Sequence, residues 1–391
     1  MRTMKITSLE TLACDAGWRH YHFLKLATDA GVTGWSEFDE GFGSPGVGAV
    51  IGRLAPRVVG RDPAAHERVF QDLFSATRPA TGSVVAQAMG AIENAMLDAK
   101  AKALGVPCHA LLGGKIRDRI PLYWSHAATW RINHGEWYKP AITDLEGVRQ
   151  MGRDVKSAGF RALKTNLFLY EDGRPKGWRP GFGAPFYPEL NVEPRLLRDL
   201  RMHLEALREG AGPEVEILLD LNCHAKTEGF LRILRALADF PLFWVEIDSF
   251  SPEALGYLRR QSPHPISSCE TLLGLREFLP FFREQAMDVA IVDTPWNGVW
   301  QSMKIAAAAE AHEVNVAPHN FYGHLSTMMN AHFAAAVPNL RIMEIDMDRL
   351  PWDDELFTGR PRIEAGEMGI GDAPGWGLDP DEQALRAHPP R

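Results

Sequence analysis

The feature that most constrains this chain is a series of ionisable residues, each ending a short apolar run. Six of them recur at intervals of 23 to 26 residues, namely Asp220, Glu246, Glu270, Asp293, His319 and Glu344. One such interval accommodates one β-strand and one α-helix. In a parallel barrel the carboxyl ends of all strands lie on one face, where active sites are built. Because desolvating six ionisable groups is unfavourable, their convergence indicates that a cation or a reaction needs them.

Eight apolar runs carry or precede these residues. Near-continuous apolar sequence, without alternation, is typical of parallel strands buried on both faces. The runs are IPLYWSHA, FRALKTNLF, EVEILLDLN, LFWVEID, PISSCET, MDVAIVDT, VNVAPHN and LRIMEID. Helix-like stretches such as EPRLLRDLRMHLEALREG separate them. The alternation predicts an α/β fold with a (β/α)8 barrel, or a barrel that lacks its final helix.

The segment before the barrel predicts a separate α+β domain. Three short runs, KITSLETLAC, HYHFLKLATD and GWSEF, predict a meander with a turn at Asp29–Gly34. The glycine-rich stretch Asp39–Gly48 predicts a mobile loop. Helices are predicted over Pro63–Ser75 and over a longer stretch that ends at Gly105.

We therefore divide the chain into residues 1–125, a barrel over 126–350, and a tail over 351–391 that is expected to fold back onto the first domain. One long insertion, Leu167–Glu193, follows the second barrel strand. Loops of this length are uncommon and are usually functional. Two interpretations stay open: the insertion shapes a substrate site, or it is a surface elaboration or oligomer contact.

Composition narrows the functional class. The 391 residues suffice for a barrel of about 250 residues plus an accessory domain. A net charge of −8 argues against partners such as nucleic acid or anionic membranes. The N-terminus lacks the apolar core of a signal peptide, and no apolar stretch approaches the roughly 18 residues of a membrane span. Four scattered cysteines without a CxxC pair favour a cytoplasmic protein.

Three of the strand-end acids predict a metal site. Asp220, Glu246 and Glu270 come from adjacent strands, and three carboxylates repel one another unless a cation lies among them. Oxygen-only ligation favours Mg²⁺ over zinc. The alternative is that each acid is solvated or paired with a loop arginine. Asn222 points to the same side of the strand as Asp220. It either contacts the metal or the substrate, or it only ends the strand by forming a turn.

The later strand ends predict acid–base chemistry. Asp293 and His319 form a candidate dyad, in which the carboxylate orients the imidazole and leaves its second nitrogen free as a base. Lys164 is also at a strand end, where it would neutralise a substrate carboxylate unless it only extends towards solvent. Glu344 is placed to hydrogen-bond the same substrate carboxylate.

With these residues in place, the chain resembles the enolase superfamily, in its mandelate racemase/muconate lactonizing enzyme branch. The resemblance extends from the N-terminal domain through PCHALLGG and the strand-end series to GLDPDEQAL. It implies a modified (β/α)7β barrel with an N-terminal capping domain, Mg²⁺ at the first three acids and His319 as the base. It also implies that a loop from Gly17 to Gly48 is a lid, with Arg19, His20 and His22 as substrate contacts unless they are simply exposed to solvent.

One departure from the family pattern bears on the reaction. The subgroup usually carries Lys-x-Lys in the second strand, and the second lysine is a base opposite the histidine. This chain has Lys164-Thr165-Asn166, and asparagine cannot take up a proton at neutral pH. Similar galactonate dehydratases also carry Lys-x-Asn, and in them a histidine two residues after the first metal ligand acts as the general acid. Asn222 occupies that position here, and His224 follows two residues later as an uncertain replacement.

These observations predict a Mg²⁺-dependent dehydratase that converts a sugar acid, an aldonate or aldarate, into a 2-keto-3-deoxy acid. The general acid is then His224, or His319 acting as both base and acid. Two alternatives stay open: an epimerase, cycloisomerase or lactonizing isomerase of the same branch, and a homologue that binds metal without catalysis. The predicted partner is a small carboxylate, and we expect a homo-oligomer.

Overall fold

The computed structural model describes residues 4–41, 44–180 and 192–391. The N-terminal part is a three-stranded antiparallel meander covered by three helices. Its strands are β1 (Ile6–Ala16), β2 (Arg19–Thr28) and β3 (Thr33–Phe38), and its helices are α1 (Val47–Val58), α2 (His66–Thr77) and α3 (Ser83–Leu104). Helix α3 lies so close to β3 that a Cβ on Gly34 would be 2.0 Å from the Ala95 carbonyl oxygen.

The predicted helices of this domain are present, and one further helix is not anticipated by the sequence. A 3-10 turn, Pro63–Ala65, precedes α2, and α3 ends before Gly105, which has a left-handed φ of 67°. Helix α1 begins at Val47, inside the stretch predicted to be a loop. Its buried residues Val47, Ile51, Leu54 and Val58 follow helical spacing, but nearby glycines hid that pattern.

Eight parallel strands form the barrel, each in the sequence run that predicted it. They are β4 (Arg119–Trp124), β5 (Ala162–Thr165), β8 (Glu216–Asp220), β9 (Trp244–Glu246), β10 (Ile266–Ser268), β11 (Val289–Val292), β12 (Asn315–Pro318) and β13 (Met343–Ile345). Strand β13 pairs with β4, and a parallel bridge between Val316 of β12 and Leu340, shortly before β13, closes the sheet.

Seven longer helices alternate with these strands. They are α6 (Leu145–Ser157), α7 (Pro194–Ala211), α8 (Thr227–Ala236), α9 (Pro252–Gln261), α10 (Leu275–Arg283), α12 (Val299–Ala311) and α13 (His324–Ala336). Shorter helices are α4 (Cys108–Leu111), α5 (Thr129–Asn133), α11 (Thr294–Asn297) and α14 (Glu382–Ala387). A 3-10 turn, Asp353–Leu356, follows β13 in place of an eighth barrel helix. The predicted (β/α)7β barrel with a capping domain is confirmed.

Two expected boundaries need comment. Strand β4 lies before residue 125, so the barrel begins earlier along the chain than the division at 125 implied. The insertion begins as a hairpin, β6 (Phe168–Glu171) and β7 (Arg174–Gly177), and the rest of it falls largely on residues 181–191, outside the described residues.

The tail contacts both domains. Its hairpin, β14 (Arg362–Glu364) and β15 (Glu367–Gly369), pairs with β4 of the barrel. The Trp376 indole donates to the Trp35 carbonyl of the capping domain. Among the described residues, no helix combines the length and apolarity needed to cross a bilayer.

Two layers of side chains fill the barrel, and the strand period sets their order. Successive inward-facing residues are two positions apart. A buried apolar layer contains Tyr123, Ala162, Leu218, Trp244, Val289, Ile291, Ala317 and Ile342. Two residues further along their strands lie the polar residues Ser125, Lys164, Asp220, Glu246, Asp293, His319 and Glu344. The sequence pattern therefore places these polar side chains together, directly above a packed apolar floor.

Candidate active site

Lys164 lies at the centre of the polar layer. Its Nζ is 3.2 Å from Glu246 Oε2, 3.1 Å from Glu344 Oε1 and 3.7 Å from Asp220 Oδ2. Burial alone would lower the pKa of Lys164, but the surrounding carboxylates, Glu246 foremost, raise it well above its ordinary value. Lys164 is therefore a fixed positive charge in the barrel mouth and not a side chain extended into solvent.

The carboxylates outnumber this one cation. Burial, and then repulsion from neighbouring acids, raises the pKa of Asp248. Burial also raises the pKa of Glu270 although His319 opposes the shift, and it raises the pKa of Glu246 to about 8 although Lys164 opposes it. Among the described residues, Glu246 Oε1 and Asp248 Oδ1 are buried without a hydrogen-bond partner. Such groups are unfavourable unless a further positive charge is supplied.

The donor set therefore fits a hard divalent cation, for which carboxylate oxygens are the preferred ligands. Asp220, Glu246 and Glu270 would hold it. Within the described ranges, no three acidic, histidine or cysteine side chains already stand at coordinating positions. The three-carboxylate magnesium site stays a prediction.

The dyad predicted at the later strand ends is formed. His319 Nδ1 is 2.6 Å from Asp293 Oδ2, which also accepts a hydrogen bond of 2.6 Å from the Tyr322 hydroxyl. Asp293 caps α11 through a bond from the Trp296 amide to its other oxygen, so both oxygens of the carboxylate are held. Because Asp293 engages Nδ1, the imidazole presents Nε2 to the barrel mouth.

That nitrogen faces the acids. His319 Nε2 is 3.5 Å from Glu270 Oε1 and 3.9 Å from Glu344 Oε2. Burial lowers the pKa of His319, but Glu270, Glu344 and Asp293 raise it, and the net result is about 10. Any cation that neutralised these acids would reduce the upward shift, and the histidine would become available as a base at neutral pH.

Glu344 is held ionised between several donors. Its Oε1 accepts from the Ser125 hydroxyl and pairs with Lys164, and its Oε2 accepts from the Asn320 amide at 2.8 Å. Burial would raise the pKa of Glu344, but the charges of Lys164, His319 and His126 hold it below its ordinary value.

Asn166 and Asn222 both contact the first of the predicted metal ligands. Asn166 Nδ2 donates to Asp220 Oδ2 at 3.3 Å, and its own oxygen accepts from the Thr129 hydroxyl at 2.9 Å. Asn222 uses its backbone amide to bond Asp220 Oδ1 and has a left-handed φ of 44°. Asn222 therefore turns the chain at the strand end, and its contact with Asp220 is through the backbone.

His224 lies under the insertion. Its Nδ1 is 2.7 Å from the Pro180 carbonyl, its ring is edge-on to Trp178, and burial lowers its pKa. These contacts attach His224 to the wall formed by the insertion. Its assignment as the acid stays a prediction.

The predicted lid is mostly regular structure, because β2 and β3 occupy much of the range from Gly17 to Gly48. Arg19 belongs to the capping domain, but its side chain contacts the barrel. Its Cζ is 4.8 Å from the Phe321 ring centroid, and its Nη2 is 3.7 Å from Asp346 Oδ2. A cavity of about 230 Å³ lies here, lined by both domains, with Arg19 and His20 on its wall. His22 does not line it and packs 5.6 Å from the Phe38 ring.

Sequence reasoning overlooked two further acids, one step beyond the polar layer at the strand ends. Asp248 and Asp346 each follow a recognised acid by two positions, in the matching sequences Glu246-Ile-Asp248 and Glu344-Ile-Asp346. The same strand period that identified the first layer would have identified them. His126, after β4, was also overlooked because its strand end carries no acid.

With this geometry established, comparison with known proteins identifies the family. A family model described as the enolase C-terminal domain-like fold matches residues 146–384, and one described as the mandelate racemase/muconate lactonizing enzyme N-terminal domain matches residues 9–113. The chain belongs to the enolase superfamily. Its branch is that of mandelate racemase and muconate lactonizing enzyme, as the resemblance implied.

Proteins that resemble the chain carry names that refer to different reactions. A crystal structure from Burkholderia xenovorans, provisionally assigned as an L-alanine-DL-glutamate epimerase, is 66% identical, covers 99% of this chain and 98% of its own, and has a TM-score of 0.98. The same protein has also been crystallised with magnesium and fumarate.

Curated relatives of the chain bear dehydratase names. A D-galactonate dehydratase family member from Streptomyces bingchenggensis is 31% identical and spans 100% of this chain and 94% of its own. A D-xylonate dehydratase from Haloferax volcanii is 29% identical and spans 99% and 90%. The reaction must therefore be argued from the residues of the site.

Proposed function

We propose that this superfamily member is a Mg²⁺-dependent dehydratase of a sugar acid. The observation that carries the proposal is an asymmetry in the barrel mouth. On one side the His319–Asp293 pair is assembled as a base, with Nδ1 bonded at 2.6 Å. At the position where the family's second base would stand, Asn166 is bonded to Thr129 and Asp220 and cannot accept a proton.

One base suffices for an elimination. Lys164 binds the substrate carboxylate by its charge, and the ionised Glu344 beside it keeps Lys164 in position through their ion pair. His319 Nε2 removes the proton from C2 while Asp293 holds the ring and stabilises the imidazolium that forms. A magnesium ion held by Asp220, Glu246 and Glu270 would supply the charge that stabilises the resulting enediolate. Loss of the 3-hydroxyl and tautomerisation then give a 2-keto-3-deoxy acid.

The relatives support this class of substrate. Of the curated proteins named above, one is a D-galactonate dehydratase family member and the other a D-xylonate dehydratase, and both names refer to aldonic acids. Fumarate in the Burkholderia crystal is a small carboxylate, and it accompanies magnesium there. On the capping side, Arg19 and His20 line the cavity and would contact the hydroxylated part of the substrate. Among the described residues, Arg19 Nε and Nη1 have no hydrogen-bond partner, so the guanidinium has donors to offer.

The second candidate is a dipeptide epimerase, because the 66% identical structure carries that provisional assignment. Epimerisation removes a proton on one face and returns one on the other, so it needs a second acid–base group opposite His319. Among the described residues of the polar layer, Lys164 is the available amine, and three carboxylates surround it. An epimerase would have to use this lysine both as base and as substrate anchor.

A substrate panel separates the two candidates. The enzyme with Mg²⁺ is incubated with D-galactonate, D-gluconate, D-xylonate, two aldarates and L-Ala-L-Glu, and assayed for 2-keto acid and for epimer. We expect 2-keto acid from at least one sugar acid, none after EDTA and none from His319→Asn. Epimerisation of the dipeptide, with no 2-keto acid from any sugar acid, would replace the dehydratase proposal by the epimerase one.

A further inference from the structure

A second histidine–aspartate pair stands at the barrel mouth. His126 follows β4, and Asp346 follows β13, the strand that pairs with β4 to close the barrel. His126 Nδ1 is 2.9 Å from Asp346 Oδ1 and 3.0 Å from the Ser125 hydroxyl. His126 has a φ of 51°, a left-handed conformation that is uncommon among residues other than glycine.

The surroundings fix both members of the pair. The Trp130 indole donates to the other oxygen of Asp346 at 2.9 Å, and Arg19 lies 3.7 Å from that oxygen. The His126 ring also stacks on Trp130, with centroids 4.1 Å apart and planes 21° from parallel. These contacts determine the plane of the imidazole. Among the described residues, His126 Nε2 has no hydrogen-bond partner, and the side chain is partly exposed.

Its position relates it to the substrate end of the site. The Ser125 hydroxyl donates to Glu344, the residue placed at the substrate carboxylate, and lies 3.0 Å from His126 Nδ1. Phe321 separates the two histidines, with its ring 5.1 Å from that of His319 and 6.3 Å from that of His126. A substrate carboxylate held by Lys164, next to Glu344, therefore has the His319 pair and the His126 pair as two separate imidazoles beside it.

We propose that His126 is the general acid that protonates the departing 3-hydroxyl. The proposal rests on the dehydratase function proposed above and assigns a residue to its second half. In this role the ring directs Nδ1–H at Asp346 and carries the proton for transfer on Nε2. As the C3–O bond breaks, its electron pair leaves with the oxygen, which takes that proton and departs as water. The enediolate electrons form the C2–C3 double bond, and neutral His126 regains a proton from solvent.

Two other residues could be assigned as the general acid. His319 would otherwise act as both base and acid in a syn elimination. His224 would otherwise be the acid, but its Nδ1 is bonded to the Pro180 carbonyl under the insertion. A general acid that acts only on the leaving group can be recognised, because its removal blocks elimination without blocking proton removal at C2.

The experiment measures both steps in one variant. His126→Asn suits the backbone, since asparagine tolerates the left-handed conformation at this position. The substrate is the panel acid that the wild type dehydrates fastest, together with its 3-deoxy-3-fluoro analogue, and exchange at C2 is followed by NMR in D₂O. Fluoride is the anion of a much stronger acid than water, so its departure depends far less on a proton donor.

We expect His126→Asn to lose about 10²- to 10⁴-fold in dehydration. Exchange at C2 should continue within a few-fold of the wild-type rate, and fluoride release should be near wild type. The control is His264→Asn, since His264 is buried at the opposite end of the barrel and bonds the Leu237 carbonyl. A fold defect in that control would reduce exchange and dehydration together.

Two results would overturn the acid role of His126. One is dehydration at the wild-type rate by His126→Asn, and the other is equal loss of exchange, dehydration and fluoride release. A wild-type enzyme that exchanges the C2 proton but eliminates neither hydroxide nor fluoride would instead refute the dehydratase function, and the acid role with it.

Discussion

The lower and upper layers of the barrel interior are built by the same strands and differ in what they bury. Leu218 and Trp244 in the lower layer are fully buried among apolar neighbours. Two residues later on the same strands, Asp220 and Glu246 are almost as buried but are charged groups that share one lysine. The strand period places both layers facing inward, so the chain uses a stable floor to hold an unfavourable cluster above it.

The comparison separates residues that stabilise the fold from residues that serve chemistry. Substitutions in the lower layer should change the free energy of unfolding and leave catalysis per folded molecule nearly unchanged. Substitutions in the upper layer should do the reverse. A pair of side chains on one strand, such as Leu218 and Asp220, tests this without changing the surroundings.

The largest effect is expected from the predicted metal ligands. Asp220→Asn and Glu246→Gln should each abolish detectable turnover, because each removes a charged oxygen ligand from the cluster. EDTA should have the same effect on the wild type, and added Mg²⁺ should restore it. Full activity in a preparation shown to be metal-free by elemental analysis would refute the role assigned to these acids.

The next largest effect concerns the base. His319→Asn should lower both dehydration and C2 exchange by about 10²- to 10⁴-fold or more, since one residue is assigned the C2 proton. Asp293→Asn should be milder, because it misorients the imidazole without deleting it. Wild-type exchange in His319→Asn, measured by NMR in D₂O, would exclude the assignment.

The lower layer should respond in stability. Leu218→Ala removes a fully buried side chain from the barrel floor and should lower the free energy of unfolding by about 2–5 kcal/mol. Urea unfolding followed by circular dichroism measures the loss, and kcat per folded molecule should stay within a few-fold of wild type. A loss of kcat as large as that of Asp220→Asn would show that the two layers are not separable.

The smallest expected effect is an increase in the free energy of unfolding. Asp248 is buried with one oxygen unpartnered among the described residues, and burial and neighbouring acids raise its pKa. At neutral pH folding must either bury this carboxylate as a charge or protonate it, and both are unfavourable. Asp248→Asn removes that cost, so in EDTA it should raise the free energy of unfolding by about 1–3 kcal/mol. A variant less stable than wild type in the same urea titration would contradict this account of Asp248, which lies beyond the upper layer.

The two layers also show what the sequence alone can predict. The eight strands and the first set of polar residues were predictable, because the strand-end acids recur once per βα unit and strand geometry turns that spacing into proximity. Lys164, Asp293 and His319 lie where this argument placed them. Short-range sequence patterns were thus sufficient to predict which ionisable side chains meet in the site.

Features that depend on contacts between distant segments were not predictable. His126 gains its orientation from Asp346, 220 residues later in the chain, and from stacking on Trp130. Arg19 lies over Phe321 of the barrel, a contact that no local pattern indicates. Helix α1 was not predicted, because its glycines favour a loop although its buried apolar residues follow helical spacing. Such features are set by tertiary packing, which overrides local propensity.

The central claim is that the site holds one base for the C2 proton, with Asn166 where a second base would stand. The most direct test incubates a 3-deoxy aldonate, which cannot eliminate, with enzyme and Mg²⁺ in D₂O. The account predicts that deuterium enters C2 with retention of configuration, because His319 both removes and returns the proton. Accumulation of the C2 epimer would reveal a second base and contradict the claim.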